Sequence, residues 1–95
     1  MDLLLHLSSR EGLGIARPLA AACDRAGIAW GCFVTNDGVE ALSDAAFLDL
    51  LGRAHRAVVC EHSWGRFGTG DSPIERGSQT VNSGLMAEAQ RVVSL

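Results

Sequence analysis

The sequence has no tyrosine, few other aromatic residues, and no long run of apolar or basic residues. Three Phe and two Trp occur in 95 residues, so a hydrophobic core must consist mainly of Leu, Val, Ile and Ala. No apolar run approaches the roughly 20 residues that a membrane-spanning helix needs. The net charge is −3 and no cluster of basic residues is present, which gives no electrostatic reason for nucleic acid binding. We therefore expect neither nucleic acid nor a membrane as a partner.

A disulfide framework is also absent. The three cysteines, Cys23, Cys32 and Cys60, are odd in number and include no Cys-x-x-Cys pair. Such usage is typical of a reducing compartment, so we expect a cytoplasmic protein. A chain of 95 residues with 47% hydrophobic residues predicts one domain, residues 1–95, with a single core.

Short apolar segments alternate with segments of helical periodicity. The predicted strands are residues 3–7, 28–34, 57–60 and 91–95. The segment 3–7 is apolar on both faces, as in a central parallel strand. In the second strand, Trp30, Cys32 and Val34 share one face, and Phe33 lies on the other.

Three helices are predicted from apolar residues at helical spacing. The first covers residues 16–26, because proline is tolerated only near a helix start and Pro18 must lie there; Gly27 ends it as a C-cap. The second runs from a cap at Ser43 or Asp44 to about residue 53. The third covers about 80–89. Residues 61–79 are rich in glycine and predict a long irregular loop, which is either functional or mobile.

The alternation of strands and helices predicts a single small three-layer α/β domain. Its four-stranded, mainly parallel sheet carries helices on both faces. We expect the flavodoxin-like strand order 2-1-3-4, in which the first and third strands are neighbours. The loops after Leu7 and after Cys60 would then flank one crevice at the carboxyl edge of the sheet.

A cysteine, an acid and a histidine stand together where the third strand ends. Cys60 is the predicted catalytic residue, and His62 and Arg10 are the cations expected to lower its pKa. The alternative is an inert buried cysteine. If the strand continues, Cys60 and His62 point the same way and could form a thiolate–imidazolium pair. They could also be two ligands of a metal, but no further ligand has diagnostic spacing, so no metal site is predicted. The remaining alternative for His62 is a solvated loop histidine.

Other polar and aromatic side chains follow the strands and are predicted to bind a ligand in the same crevice. They are Ser8, Ser9, Asn36, Asp37, Glu61 and Trp64. The segment around Asn36 is also a typical turn sequence. Gly12 and Gly14 either serve turn geometry or form an anion-binding loop with Arg10. Trp64 and Phe67 either cover the crevice or form a subunit contact.

Several segments together resemble the DsrE/DsrF-like family, which includes the TusD-type subunits of sulfur relays. They are the first strand with its serine-rich end, residues 12–18, residues 33–38, the strand that ends at Cys60, and residues 77–80 through 92–93. The resemblance implies a small parallel α/β fold, assembly into dimers, trimers or hexamers, and sulfur carried as a persulfide on Cys60. The long segment 61–79 and the neighbours Glu61 and His62 differ from the relay pattern.

The resemblance implies a sulfur carrier or sulfurtransferase whose partners are a protein sulfur donor and a protein sulfur acceptor. No cofactor is expected, because the sulfur travels on the cysteine itself. The alternative is a non-catalytic module of the same fold that binds a small molecule, an anion or another protein. A homo-oligomer is expected in either case, since a small parallel sheet has two exposed edges and few helices to cover its faces.

Overall fold

The computed structural model describes all 95 residues and contains one sheet of five parallel strands. The strands are β1 (Leu3–Leu7), β2 (Trp30–Val34), β3 (Arg56–Cys60), β4 (Glu75–Gly77) and β5 (Arg91–Ser94). Four of them coincide with the predicted strands to within two residues at every boundary. The fifth, β4, lies inside the segment predicted to be an irregular loop.

Four α-helices and two 3₁₀ helices connect the strands. The α-helices are α1 (Leu13–Ala26), α2 (Ala45–Leu51), α3 (Glu61–Phe67) and α4 (Gln79–Glu88), and the 3₁₀ helices are Arg10–Gly12 and Asn36–Ser43. No helix has both the length and the apolar character that crossing a bilayer requires.

The helix ends follow local chemistry. The Asp44 carboxylate accepts a hydrogen bond from the Phe47 amide at 2.8 Å and caps α2 as predicted. Gly27, with φ of 69°, ends α1 in the left-handed conformation, also as predicted. The predicted start of α1 is wrong by three residues, because Pro18 lies inside the helix rather than in its first turn. Ser78 caps α4, because its Oγ accepts a hydrogen bond from the Val81 amide at 3.4 Å.

The strand order is β4-β3-β2-β1-β5, so the predicted order 2-1-3-4 and the count of four strands are wrong. β2 pairs with both β1 and β3, and β1 lies between β2 and β5. The periodicity of a segment predicts that it is a strand but not which strand lies beside it. Here the consecutive strands β1 to β4 are also neighbours in the sheet, which is the commoner arrangement, whereas β5 pairs with β1 rather than with β4.

Helices lie on both faces of the sheet, and the strand order explains their distribution. From β1 to β4 every connection steps in the same direction, so right-handed crossovers place α1, α2 and α3 on one face. The connection to β5 runs back across the sheet and places α4 on the other. The core on the first face contains 15 buried residues, including Trp30 and Phe47. The α4 face contains five: Leu4, Phe33, Val58, Cys60 and Leu85.

The second 3₁₀ helix fills the space at the carboxyl ends of β1 and β2. A Cβ atom on Gly38 would lie 2.6 Å from the carbonyl oxygen of Leu7, so the helix rests directly on the end of β1. Because β2 and this helix separate β1 from β3, no crevice joins the loops after Leu7 and Cys60. The predicted crevice is therefore wrong.

Candidate functional site

Cys60 lies where three elements meet at the carboxyl edge of the sheet. It is the last residue of β3 and the N-cap residue of α3. Its backbone pairs with Gly77, which ends β4 and leads directly into α4. The thiol is 4% exposed and accepts a hydrogen bond from Nε2 of Gln79 at 3.4 Å. The sulfur atom thus lies between the starts of α3 and α4.

The pKa of the Cys60 thiol is lowered from its ordinary value of 9.0. Burial raises this pKa, but it is outweighed by the backbone amide and hydroxyl of Ser63, the Gln79 side chain and the His62 amide. The thiol forms no complete capping hydrogen bond with an α3 amide; the amides at the helix start favour the thiolate by their proximity and orientation. A larger fraction of Cys60 is therefore thiolate at neutral pH than of a free cysteine.

Ser63 joins this site to the end of β2. Its side chain is 4% exposed, and its Oγ accepts a hydrogen bond from the Asn36 amide at 2.8 Å and lies 3.2 Å from Oγ1 of Thr35. A hydroxyl both donates and accepts, so Ser63 retains a hydrogen for Thr35 or for the Cys60 sulfur. Sequence reasoning missed Ser63, because its role depends on a helix that begins immediately after Cys60.

Gln79 and Asn82, both on α4, form the other side of the site and were also missed. Gln79 is exposed, and its Oε1 accepts a hydrogen bond from Nδ2 of Asn82 at 3.3 Å. Asn82 is 7% exposed, and its Oδ1 has no hydrogen-bond partner. Asn82 is a polar residue among the apolar residues of α4 that face the sheet. This departure from the apolar pattern was the signal in the sequence that could have identified it.

The structure does not bring His62 or Arg10 to Cys60. The strand stops at Cys60 and α3 starts at Glu61, so His62 is an exposed helix residue and does not share a strand face with Cys60. Arg10 pairs with Asp37 at 3.3 Å and with Glu40 at 3.5 Å. It follows β1, which is two strand spacings, or about 10 Å, from β3.

The residues predicted to bind a ligand are distributed over several local structures. Oγ of Ser8 donates to the carbonyl oxygen of Leu95 at 3.0 Å, and Oγ of Ser9 accepts from the Gly12 amide at 3.2 Å. Asn36, with φ of 51°, contacts the site through Ser63. Asp37 faces Arg10, and Glu61 is exposed at the start of α3. Only Asn36 and Glu61 of the predicted set therefore adjoin Cys60.

The segment 61–79 is not the irregular loop that was predicted, since it contains α3 and β4. Within it, Nε1 of Trp64 donates to the carbonyl oxygen of Gly70 at 2.9 Å. Trp64 also lines a cavity of about 110 Å³ between α3 and the second 3₁₀ helix. The other lining residues are Val39, Glu40, Leu42, Ser43, Phe67, Gly68 and Thr69. Because Cys60 is not among them, Trp64 and Phe67 do not cover the cysteine site.

The structure around Cys60 provides a thiolate nucleophile and hydrogen-bond donors that stabilise its negative charge. The other two thiols differ: burial raises the pKa of Cys32 to about 12, and burial also raises the pKa of Cys23. No known protein family, curated protein or solved structure matches the chain. The geometry around Cys60 is therefore the feature that indicates a function.

Proposed function

We propose that the protein is a DsrE/DsrF-like sulfur carrier that holds sulfane sulfur as a persulfide on Cys60. One observation carries the proposal: hydrogen-bond donors from α3 and α4 converge on this thiol at the carboxyl edge of a parallel sheet. Ligands bind at this edge in open α/β sheets. Cys23, on α1, and Cys32, on β2, lie in the core on the other face of the sheet and have no such surroundings.

The proposed reaction is an exchange without net oxidation. The Cys60 thiolate attacks the outer sulfur of a donor persulfide, R–S–SH. The S–S bond of the donor breaks, R–S⁻ leaves with the electron pair, and Cys60–S–SH forms. In the second step an acceptor thiolate attacks the outer sulfur, and Cys60 leaves as its thiolate. Both steps require that Cys60 be stable as an anion, which the surrounding donors favour.

Access to the sulfur depends on Gln79. Cys60 is 4% exposed, but the group that bonds to its sulfur is an exposed side chain at the start of α4. We propose that the exposed Gln79 side chain turns aside to admit the sulfur donor. A persulfide on a flexible segment of a partner protein, or on a small molecule, can then reach the Cys60 sulfur.

The alternative function is a module that binds a metabolite, and the cavity beside Trp64 is its candidate site. Its volume of about 110 Å³ is well below the roughly 300–1,000 Å³ of typical ligand pockets. Only half of its lining residues are apolar, and the partly exposed Phe67 in its wall suits a protein contact better than a metabolite. We therefore rank the sulfur carrier first.

Incubation with a sulfane sulfur donor such as a low-molecular-weight persulfide should add the mass of one sulfur atom to the protein. Intact-mass spectrometry measures this addition. Cys60→Ser should abolish it, because an alcohol cannot form the persulfide, and reducing agent should remove it. Cys23→Ala is the matched control and should retain full uptake. Uptake that persists in Cys60→Ser, or that is absent from the unmodified protein, would contradict the proposal.

A homo-oligomer is proposed because apolar side chains remain exposed on the α4 face and at the β5 edge. Leu85 is buried, whereas Met86 is 37% and Val92 is 40% exposed. Val92 lies on the α4 face, since its register partner Leu4 belongs to that core. The opposite edge strand, β4, is only three residues long and presents Glu75 and Arg76, which discourages pairing.

Light scattering on the purified chain should therefore give a mass at least twice 10.0 kDa. Val92→Asp should reduce it to the monomer mass, because a carboxylate would be buried in the interface. Ile28→Asp is the control: Ile28 is 41% exposed but precedes the central strand β2, which β1 separates from β5. A monomer at about 100 μM, far above typical dissociation constants, would exclude the interface.

A further inference from the structure

We infer that Gln79 is a second catalytic residue, which donates a hydrogen bond to the Cys60 sulfur, and that Asn82 is a positioning residue that fixes the orientation of the Gln79 amide. The inference deepens the proposed function and rests on it for its role in sulfur transfer. The two contacts form a chain in which Asn82 Nδ2 donates to Gln79 Oε1 at 3.3 Å and Gln79 Nε2 donates to Cys60 Sγ at 3.4 Å.

The orientation of the Gln79 amide decides whether it helps or hinders a thiolate. Its NH₂ group donates hydrogen bonds and its oxygen only accepts them. With Oε1 held by Asn82, the NH₂ group faces the sulfur. If the amide turned over, its NH₂ group would meet the NH₂ group of Asn82, and its oxygen would face the thiolate. Both contacts would then be repulsive. Turning both amides together would keep the bond between Gln79 and Asn82 but would still place an oxygen against the thiolate, so the observed pairing is the one that stabilises the anion.

Stability does not explain an asparagine at position 82. The residue is 7% exposed, its Oδ1 has no partner, and the only hydrogen bond of its side chain goes to Gln79. A buried carbonyl without a partner destabilises a folded protein. The neighbouring residues of α4 that face the sheet are apolar: Val81, Leu85 and Ala89. An apolar side chain would suit this position better, unless the amide of residue 82 is needed for Gln79.

The same donor serves both halves of the proposed reaction. In the first half it stabilises the attacking Cys60 thiolate. In the second half Cys60 is the leaving group, and the negative charge returns to the same sulfur beside the same NH₂ group. A donor placed where charge develops lowers the barrier in each direction. Because Gln79 is exposed, it can also move aside while a persulfide approaches.

The test is the pH dependence of iodoacetamide labelling at Cys60, resolved from Cys23 and Cys32 by peptide mass spectrometry. The midpoint of the profile reports the thiol pKa, and the limiting rate at high pH reports access. A hydrogen bond to a charged group corresponds to about one pH unit. Gln79→Ala should raise the midpoint by about this amount, with a higher limiting rate because the sulfur is uncovered. Gln79→Glu, at an exposed position that should not affect folding, should raise the midpoint further.

Asn82→Leu should raise the midpoint nearly as much as Gln79→Ala, with unfolding at the same or a higher temperature. In the Gln79→Ala background it should have no further effect, because it acts only through Gln79. Ser83→Ala is the control: this exposed hydroxyl bonds to the backbone carbonyl of Gln79 at 3.2 Å, and its removal should leave the midpoint unchanged. Unchanged midpoints in the Gln79 variants would overturn the inference, and additive shifts in the double variant would overturn the role of Asn82.

These midpoints are measured without a sulfur donor, so they separate this inference from the proposed function. Sulfur uptake by the unmodified protein with unchanged midpoints in the variants would overturn the roles of Gln79 and Asn82 and leave the carrier intact. Shifted midpoints with no uptake would support the contact geometry and refute the carrier.

Discussion

At pH 7, iodoacetamide is expected to alkylate Cys60 at least about a thousandfold faster than Cys32. The thiolate is the reactive form, and the pKa of Cys32 is raised to about 12 by burial. At pH 7 that pKa leaves about one thiolate in 10⁵ molecules, whereas a pKa below 9.0 leaves at least about one in 10². Cys23, whose pKa is also raised by burial, should react slowly as well.

Site-resolved mass spectrometry over a time course measures the three rates. Labelling in denaturant is the control, because all three cysteines should then react alike. Equal, slow labelling of the folded protein would mean that Cys60 is a structural cysteine. The labelling rate of Cys60 should fall as the pH falls below its lowered pKa, because the thiolate is then protonated.

Phe33→Ala is expected to lower the free energy of unfolding by about 3–5 kcal/mol. Phe33 lies in the central strand, is fully buried, and stacks on His6 with ring centroids 6.2 Å apart. It is the largest of the five buried residues on the α4 face, where a single helix covers the sheet and little can move to fill a cavity. For a domain whose total stability is about 5–15 kcal/mol, a loss of this size approaches complete unfolding.

Phe67→Ala provides the matched control, since it removes the same atoms from a residue that is 40% exposed. Phe67 contacts Arg66, whose guanidinium lies 5.0 Å from the ring centroid. Such a contact contributes about 0.5–1 kcal/mol at an exposed site. Urea unfolding followed by circular dichroism compares the two variants. Similar losses for both would show that the α4 face is not a packed core.

The reactivity of Cys60 and the stability contributed by Phe33 both depend on the packing of α4. The strand that contributes Phe33 lies beside β3, and both present their side chains to α4. Gln79 and Asn82 are held over the cysteine only while α4 packs on this small core. We therefore expect the lowered pKa of Cys60 to depend on the tertiary structure, and its reactivity in mildly destabilising conditions to approach that of a free thiol.

Patterns among adjacent residues were sufficient to predict most of the strands and helices. The apolar run before Cys60, the cap of α2 and the C-cap at Gly27 each depend on a few adjacent residues. The run and Gly27 were predicted correctly, and Asp44 was one of the two caps predicted for α2. The parallel α/β class follows from the alternation of such segments. The position of Cys60 at the end of a strand was predicted for the same reason, because polar residues follow the apolar run directly.

Contacts between segments distant in the chain decided the strand order, the formation of β4 and the partners of the Cys60 sulfur. β4 contains Glu75 and Arg76 and becomes a strand only by pairing with β3 at the sheet edge, so its own residues do not predict it. β3 pairs with β2 and not, as predicted, with β1. Arg10 and Ser8, which follow β1, therefore lie away from Cys60. Gln79 was missed because the hydrogen bond between its side chain and Cys60 spans 19 positions of the chain. Local patterns specify helices, strands and caps, whereas the partners of the Cys60 sulfur exist only once the sheet has assembled and α4 has packed against it.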